Sequence, residues 1–215
     1  MTEAARHAEL MDRTYRYQRY IYDVTRRCYL PGRDRLVREL VPPPAGRVLE
    51  IACGTGRNLA LIGRAYPDCT LYGLDISREM LRTARSRLGG RAVLAQADAC
   101  DYDSGVLFGA DGFDRVVLSY SLSMIPDWRA ALHLAARQLR PGGSLHVVDF
   151  GDQTGLPRWF RRGLHAWLAR FHVTPRVDLL TQMQALAAAP GLSLRVETIY
   201  RDYARYGVLA RRGAT

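Results

Sequence analysis

The run Val48-Leu49-Glu50-Ile51-Ala52-Cys53-Gly54-Thr55-Gly56-Arg57-Asn58 joins a carboxylate, two closely spaced glycines and an amide side chain. Nineteen residues after Gly56 comes Asp75, in Leu71-Tyr72-Gly73-Leu74-Asp75-Ile76-Ser77. Glycines let a backbone approach a ligand where a Cβ would clash. A carboxylate at that interval suits acceptance of two hydrogen bonds from a ribose diol. A dinucleotide site would ask for a third glycine, G-x-G-x-x-G, but Arg57, Asn58 and Leu59 follow Gly56.

Glu50 at a strand end is out of place beside a pyrophosphate. It suits a ligand with a cationic amino-acid end. S-adenosylmethionine is such a ligand: a sulfonium, an ammonium, a carboxylate and an adenosine, without phosphate.

These residues need a scaffold that brings them to one edge. Leu30-Pro31-Gly32 ends an N-terminal helical stretch at 3–29, and a second short helix is predicted at 33–40. Strands are predicted at 47–52, 70–74, 92–95, 113–119 and 144–149, alternating with helices at 58–66, 77–88 and 127–139. Arg140-Pro141-Gly142-Gly143 is read as closing the last of these helices. Helices at 158–171 and 177–188 and strands at 192–200 and 203–209 complete the chain. Alternation of this kind implies a parallel sheet covered on both faces. The last two strands are too close for a crossover and must form an antiparallel hairpin. The expected fold is α/β: a doubly wound, mostly parallel, Rossmann-like sheet of seven strands with an antiparallel C-terminal hairpin and an N-terminal helical lid. One domain is expected over 1–215: a lid at 1–41, a cofactor-binding core at 46–150, and acceptor-side helices with the hairpin at 151–215.

The 215 residues suffice for one full core. A net charge of +10 suggests an anionic partner, but all 31 basic residues are arginine, which points equally to coding bias. Cys28, Cys53, Cys69 and Cys100 form no metal-binding spacing and read as free thiols of a reducing compartment. No apolar run reaches the length of a membrane span, and the N-terminus lacks a signal-peptide core. The expectation is a cytoplasmic protein without a metal.

Taken together, E-x-x-x-G-T-G at 50–56, LDIS followed by Met80-Leu81, QADA at 96–99 and LRPGG before a strand resemble a class I S-adenosylmethionine-dependent methyltransferase over 46–150. The resemblance implies that Ala52, Cys53 and Gly54 line the methionine end through their backbones, with Glu50, Gly56 and Asn58 beside them. Ala52 stands where that family usually has glycine. Asp75 would hold the ribose, Ile76 and Met80 would flank the adenine, and Asp98 and Ala99 would pair with its edge. Ser119 would face the sulfur, and Tyr22 and Arg35 would reach the cofactor from the N-terminal side. The cofactor is S-adenosyl-L-methionine and the product S-adenosyl-L-homocysteine.

A narrower resemblance covers nearly the whole chain. YRYQRYIYDVTRRCYLPGRDRL, SYSLSMIPDW and HVVDFGDQ, followed by LPRWFRR, WL and FHVTPR, are similar to the methyltransferase component of bacterial betaine-lipid synthesis. That family trimethylates the amino group of diacylglyceryl-homoserine; phosphatidylethanolamine or another lipid or small molecule is the alternative acceptor. The implied partners are a lipid acceptor at an anionic membrane surface and the enzyme that makes diacylglyceryl-homoserine. The implied place is the inner face of the membrane. A nucleic-acid partner is not expected: Ser119-Tyr120-Ser121-Leu122 lacks the NPPY-type tetrapeptide of base-amine chemistry. A nicotinamide oxidoreductase lacks its third glycine and a Tyr-x-x-x-Lys pair. A nucleic-acid-binding protein or methyltransferase, favoured by the charge, is the alternative of another class, and a module that binds the ligand without catalysis is a further one.

Tyr15 to Arg35 holds five tyrosines and six arginines in 21 residues. At about 100° per residue, Tyr15, Tyr22 and Tyr29 share one stripe with Arg26, and Tyr17 and Tyr20 lie opposite. Aromatic faces hold a methylated ammonium with roughly 0.5–2 kcal/mol each, and arginine forks a carboxylate. Tyr15, Tyr22 and Tyr120 are therefore the candidate catalytic residues. Tyr15, Tyr29, Arg26, Tyr120, Ser123, Arg158 and Arg176 are the candidate substrate-binding residues. At 158–171, Trp159, Phe160, Leu164, Trp167, Leu168 and Phe171 fall on one broad arc, with Arg161, Arg162 and His165 elsewhere. That pattern reads as a basic membrane-surface helix.

Overall fold

In the computed structural model, which describes residues 30–171 and 173–213, alternate residues of β1 (Arg47–Ile51) face opposite sides of a sheet. Leu49 and Ile51 join one apolar cluster and Val48 the other, so Glu50 emerges on the Val48 side. The expected N-terminal helix, with Tyr15, Tyr22, Arg26 and Tyr29, lies outside the described residues.

The elements in order are α1 (Arg33–Glu39), β1, α2 (Arg57–Ala65), β2 (Thr70–Asp75), α3 (Arg78–Leu88), β3 (Ala92–Gln96) and α4 (Ser104–Phe108). Then come β4 (Phe113–Ser119), α5 (Trp128–Arg137), β5 (Leu139–Phe150), α6 (Arg158–Ala169), α7 (Leu179–Ala187), β6 (Leu192–Ile199) and β7 (Ala204–Arg211). The seven strands stand in the order β3-β2-β1-β4-β5-β7-β6. The first five pair in parallel. β7 runs antiparallel between β5 and β6, so the hairpin enters the sheet by its second strand. The expected doubly wound sheet with an antiparallel hairpin is the observed one.

Side-chain caps set the starts of α3, α4 and α5. Ser77 accepts from the Met80 amide at 3.3 Å, Asp103 from Val106 at 3.0 Å and Asp127 from Ala130 at 3.1 Å. Leu36 and Val37 of α1, Leu59 and Ile62 of α2 and Leu81, Ala84 and Leu88 of α3 cover one face with Val48, Leu71 and Val117. Trp128, Ala131, Leu132 and Ala135 of α5 and Leu179 and Met183 of α7 cover the other with Leu49, Val116 and Leu145. Each fully buried Leu or Ile contributes about 1.5–3 kcal/mol.

Three readings of the chain are corrected. The short helix Ser104–Phe108 was not foreseen. Arg140 to Gly143 do not separate a helix from a strand: β5 already begins at Leu139, paired with Phe113, and those residues bulge before Ser144 pairs with Arg115. The apolar arc of 158–171 is split. Leu164, Trp167, Leu168 and Phe171 pack on the core, whereas Trp159 and Phe160 remain exposed.

Candidate active site

Every residue of the Cys53–Gly56 turn sits where β1 ends, at the carboxyl edge of the sheet, the place doubly wound folds use for ligands. Cys53 donates its amide to Leu74 O at 2.9 Å, which ties the turn to the end of β2. Asp75 Oδ2 accepts from the Gly54 amide at 2.8 Å and Oδ1 from the Ser77 amide at 2.9 Å. Gly54 has φ +55° and a Cβ there would point into free space, while Gly56 has φ +71° and a Cβ would press on Leu88 at 3.0 Å. Ala52 also takes a left-handed φ of +54°, which costs about 1 kcal/mol or more in a non-glycine residue.

A cleft of about 240 Å³ opens beside this turn. It is lined by Ala52, Asp75, Ile76, Asp98, Ala99 and the Ile125–Asp127 loop, with Leu74, Ala97 and Cys100 behind them. Asp98 Oδ1 accepts from the Cys100 amide at 2.9 Å, so its carboxylate is oriented at the cleft wall. Ile76 lines the cleft; Met80 does not, and is buried against Ile76, Met124 and Phe171.

Glu50 is only 2% exposed. Its Oε1 accepts from Asn58 Nδ2 at 2.6 Å, and Asn58 Oδ1 in turn accepts from Arg33 Nε at 3.0 Å. Its Oε2 is buried with no hydrogen-bond partner among the described residues. Burial pushes the Glu50 carboxyl up to about 7, against the opposing pull of Asn58 and the Arg33 charge. Such a group suits a hydrogen-bond donor or cation beyond the described residues. The same burial lifts the Cys53 thiol well above its ordinary range and the Cys100 thiol to about 12, so neither is a ready thiolate.

The ends of β4 and β5 lie at the same edge of the sheet as the β1 turn, beyond the residues that line the cleft. Ser119 Oγ and Ser121 Oγ are buried and unpartnered among the described residues. Asp149, 1% exposed, holds the Phe150 amide on Oδ1 at 2.8 Å and the Ser123 amide on Oδ2 at 3.2 Å. Burial raises its carboxyl to about 6, partly offset by those amides.

Three expected site residues have other employment. Tyr120 is 3% exposed, its ring sits edge-on to Phe150 at 4.9 Å, and its hydroxyl donates to Pro31 O at 2.6 Å. Arg35 pairs with Glu39 and Glu197 at 2.5 Å each and lies over the Tyr206 ring, so it faces β6 and β7 rather than the β1 turn. Arg176 gives its guanidinium to Leu122 O at 3.0 Å and Ile125 O at 2.7 Å, and so braces the loop that lines the cleft. Arg158 is exposed at the start of α6. Two relevant residues had no assigned role in the sequence. Arg33 was one arginine among six in its stretch. Asp149 closed an apolar strand, and a carboxylate at a strand's carboxyl end is a signal that could have marked it. No group of potential metal ligands occurs among the described residues.

Residues 48–143 match the family described as a methyltransferase domain. The ubiquinone/menaquinone biosynthesis C-methyltransferase UbiE of Syntrophotalea carbinolica is 34% identical over 164 residues. That alignment covers 73% of this chain and 66%, just under two thirds, of that protein's own length. A demethylmenaquinone methyltransferase of Parafrankia sp. is 30% identical over 208 residues, 83% of this chain and 79% of that protein. Phosphoethanolamine N-methyltransferase 2 of Haemonchus contortus, solved with phosphomonomethylethanolamine and S-adenosylhomocysteine, superposes with a TM-score of 0.73. At 18% identity, covering 97% of this chain and 60% of that one, this last likeness is one of fold.

Proposed function

Because the chain belongs to the class I S-adenosylmethionine-dependent methyltransferases, we propose that it methylates the amino group of a lipid headgroup, with diacylglyceryl-homoserine as the acceptor. The residues present fit the family's cofactor. The buried Glu50 Oε2, without a partner among the described residues, offers an anion for its ammonium, and Gly54 leaves the turn open beside the cleft. When bound, S-adenosylmethionine supplies an electrophilic methyl group on a sulfonium. Asp75 and Asp98 offer carboxylate oxygens along the cleft where an adenosine would lie.

Asp149 is the observation that supports an amine as acceptor. Methyl transfer to nitrogen needs a free lone pair held near ~3 Å from the methyl carbon. The ammonium must first lose its proton to water or to a base. Asp149 is a buried carboxylate at the carboxyl end of β5, with its carboxyl near 6. In that range it can take a proton from the acceptor, and once ionised it is a counterion for the quaternary product. The flanking Ser119 and Ser121 hydroxyls lack partners among the described residues and suit polar headgroup atoms. The expected tyrosine stripe at Tyr15, Tyr22 and Tyr29 lies outside the described residues.

A second reading is methylation at carbon of a quinone precursor, favoured by the identities of 34% and 30% to enzymes of that type. One assay separates them. The protein is incubated with S-adenosylmethionine and, in competition, diacylglyceryl-homoserine, phosphatidylethanolamine and demethylmenaquinol. Mass spectrometry is expected to show mono-, di- and trimethylated homoserine lipid. Methylation of the quinol alone replaces the reading with the second one, and methylation of phosphatidylethanolamine alone changes the headgroup.

A further inference from the structure

α6 leaves the carboxyl end of β5 through residues 151–157 and therefore lies at the same edge of the sheet as the cleft. Its C-terminal half is anchored: Leu168 is 1% exposed, and Leu164, Trp167 and Phe171 pack beside it. Phe171 also touches the Met80 cluster with Ile76, which lines the cleft. A hydrogen bond of 2.7 Å between His165 Nε2 and Oε1 of the buried Gln153 fixes the middle of the helix.

The first turn is different. Trp159 is 76% exposed and Phe160 38%, and the two rings meet edge-to-face at 5.9 Å without joining either core cluster. Adjacent large aromatics in water, ahead of the stretch of the helix that packs on the core, mark an interaction surface. The charge along this stretch of the chain is one-sided. Between Asp152 and Asp178 the chain carries five arginines, at 158, 161, 162, 170 and 176, and no carboxylate. Arg176 is engaged with carbonyls, but Arg158, Arg162 and Arg170 are exposed.

We propose that the first turn of α6 is a docking wedge for an anionic lipid bilayer, with Trp159 and Phe160 entering the interface and Arg158, Arg162 and Arg170 meeting the headgroups. Tryptophan and phenylalanine prefer the depth where acyl chains meet headgroups, and arginines beside them stay in the headgroup layer. Negative surface potential draws cationic segments within a Debye length. Docking by this turn sets the carboxyl edge of the sheet toward the bilayer. The inference rests on the lipid-acceptor reading for its purpose, though its evidence is the exposed aromatics and the charge.

The test uses the full chain and vesicles that contain no acceptor lipid. Flotation with vesicles of phosphatidylcholine plus phosphatidylglycerol is expected to exceed that with phosphatidylcholine alone by ~10-fold, and to fall as salt rises. Trp128 is 3% exposed and Trp167 is packed, so a blue shift and quenching by brominated lipid report on Trp159. W159S/F160S should lose ~10-fold of the partitioning, and R158Q/R162Q should lose most of the salt dependence, both with unchanged thermal melts. Equal flotation of W159S/F160S and the wild type overturns the wedge. So does quenching by an oligonucleotide duplex without vesicle binding, which reassigns the patch to nucleic acid. Docking without methylation of diacylglyceryl-homoserine removes that acceptor and leaves the wedge standing. Methylation of that lipid in detergent without vesicle binding does the reverse.

Discussion

The amide of Gly54 and the carboxylate of Asp75 are 2.8 Å apart, across 21 residues of chain. The other Asp75 oxygen holds Ser77 N. One side chain thus stitches the turn after β1 to the turn after β2 and keeps a wall of the cleft in place. Asp75→Ala should lower stability by about 1–3 kcal/mol, through two amides left without their acceptor, and weaken S-adenosylmethionine by at least ~10-fold. Thermal melts and calorimetry separate the two effects; unchanged affinity in a folded variant removes Asp75 from the site.

Glu50 links cofactor binding to pH. Its folded-state carboxyl is raised from 4.5 to about 7, so the protonated form is favoured in the free protein below neutrality. Its contribution to stability is therefore full below about pH 4.5 and is lost as pH rises through about 7. A bound ammonium reverses the preference, and Glu50 must release its proton. Affinity should strengthen as pH rises toward 7 and fall again where the ligand's own α-amino group loses its proton, about 8. Glu50→Gln should flatten that dependence. Calorimetry at pH 6 in buffers of different ionisation heat should register the released proton; none in the wild type would exclude Glu50 as the cation's partner.

Arg33 and Arg35 stand two positions apart with opposite expected outcomes. Arg33 orients Asn58 and through it Glu50, so Arg33→Ala should weaken the cofactor by ~10-fold. Arg35 belongs to the half-exposed ion pairs with Glu39 and Glu197, so Arg35→Ala should cost no more than ~1 kcal/mol and leave affinity unchanged. Equal loss of binding in both variants would overturn this assignment.

For Asp149, ionisation should control turnover. With the carboxyl raised to about 6, kcat/KM should rise with pH through that value. Asp149→Asn should lower the rate by ~10²-fold and erase that limb of the profile. A variant that melts earlier yet keeps the wild-type profile would make Asp149 a brace for the Ser123 loop and nothing more.

Tyr120→Phe removes one hydroxyl donated to Pro31 O. The expected cost is ~1 kcal/mol of stability, with turnover within ~3-fold of the wild type. A collapse of kcat in a stable variant would return Tyr120 to the catalytic set.

Much of the site was legible because it depends on short-range rules. Alternation in β1 puts Glu50 on the face opposite Leu49 and Ile51, whatever lies across the sheet. The spacing of Gly54, Gly56 and Asp75 follows from one strand-turn-helix-strand unit. The alternation of elements determined the parallel sheet, and the short gap before the last strand determined the antiparallel hairpin. What remained hidden depends on which elements meet. Tyr120, expected at the site from its place just past β4, finds its acceptor 89 residues away, and Arg35 is paired with Glu197 of β6; neither partner is legible from local sequence. Arg33, one helical step from a different neighbour, reaches Asn58 instead. The arc of α6 was correct as a helical wheel, but a wheel does not say how far the core extends along a helix. The core ends at Leu164, so only the tertiary structure distinguishes the packed Trp167 from the exposed Trp159. Backbone periodicity and turn geometry are local properties of the chain, whereas the partner of a charged or aromatic side chain is settled only when distant elements are packed together.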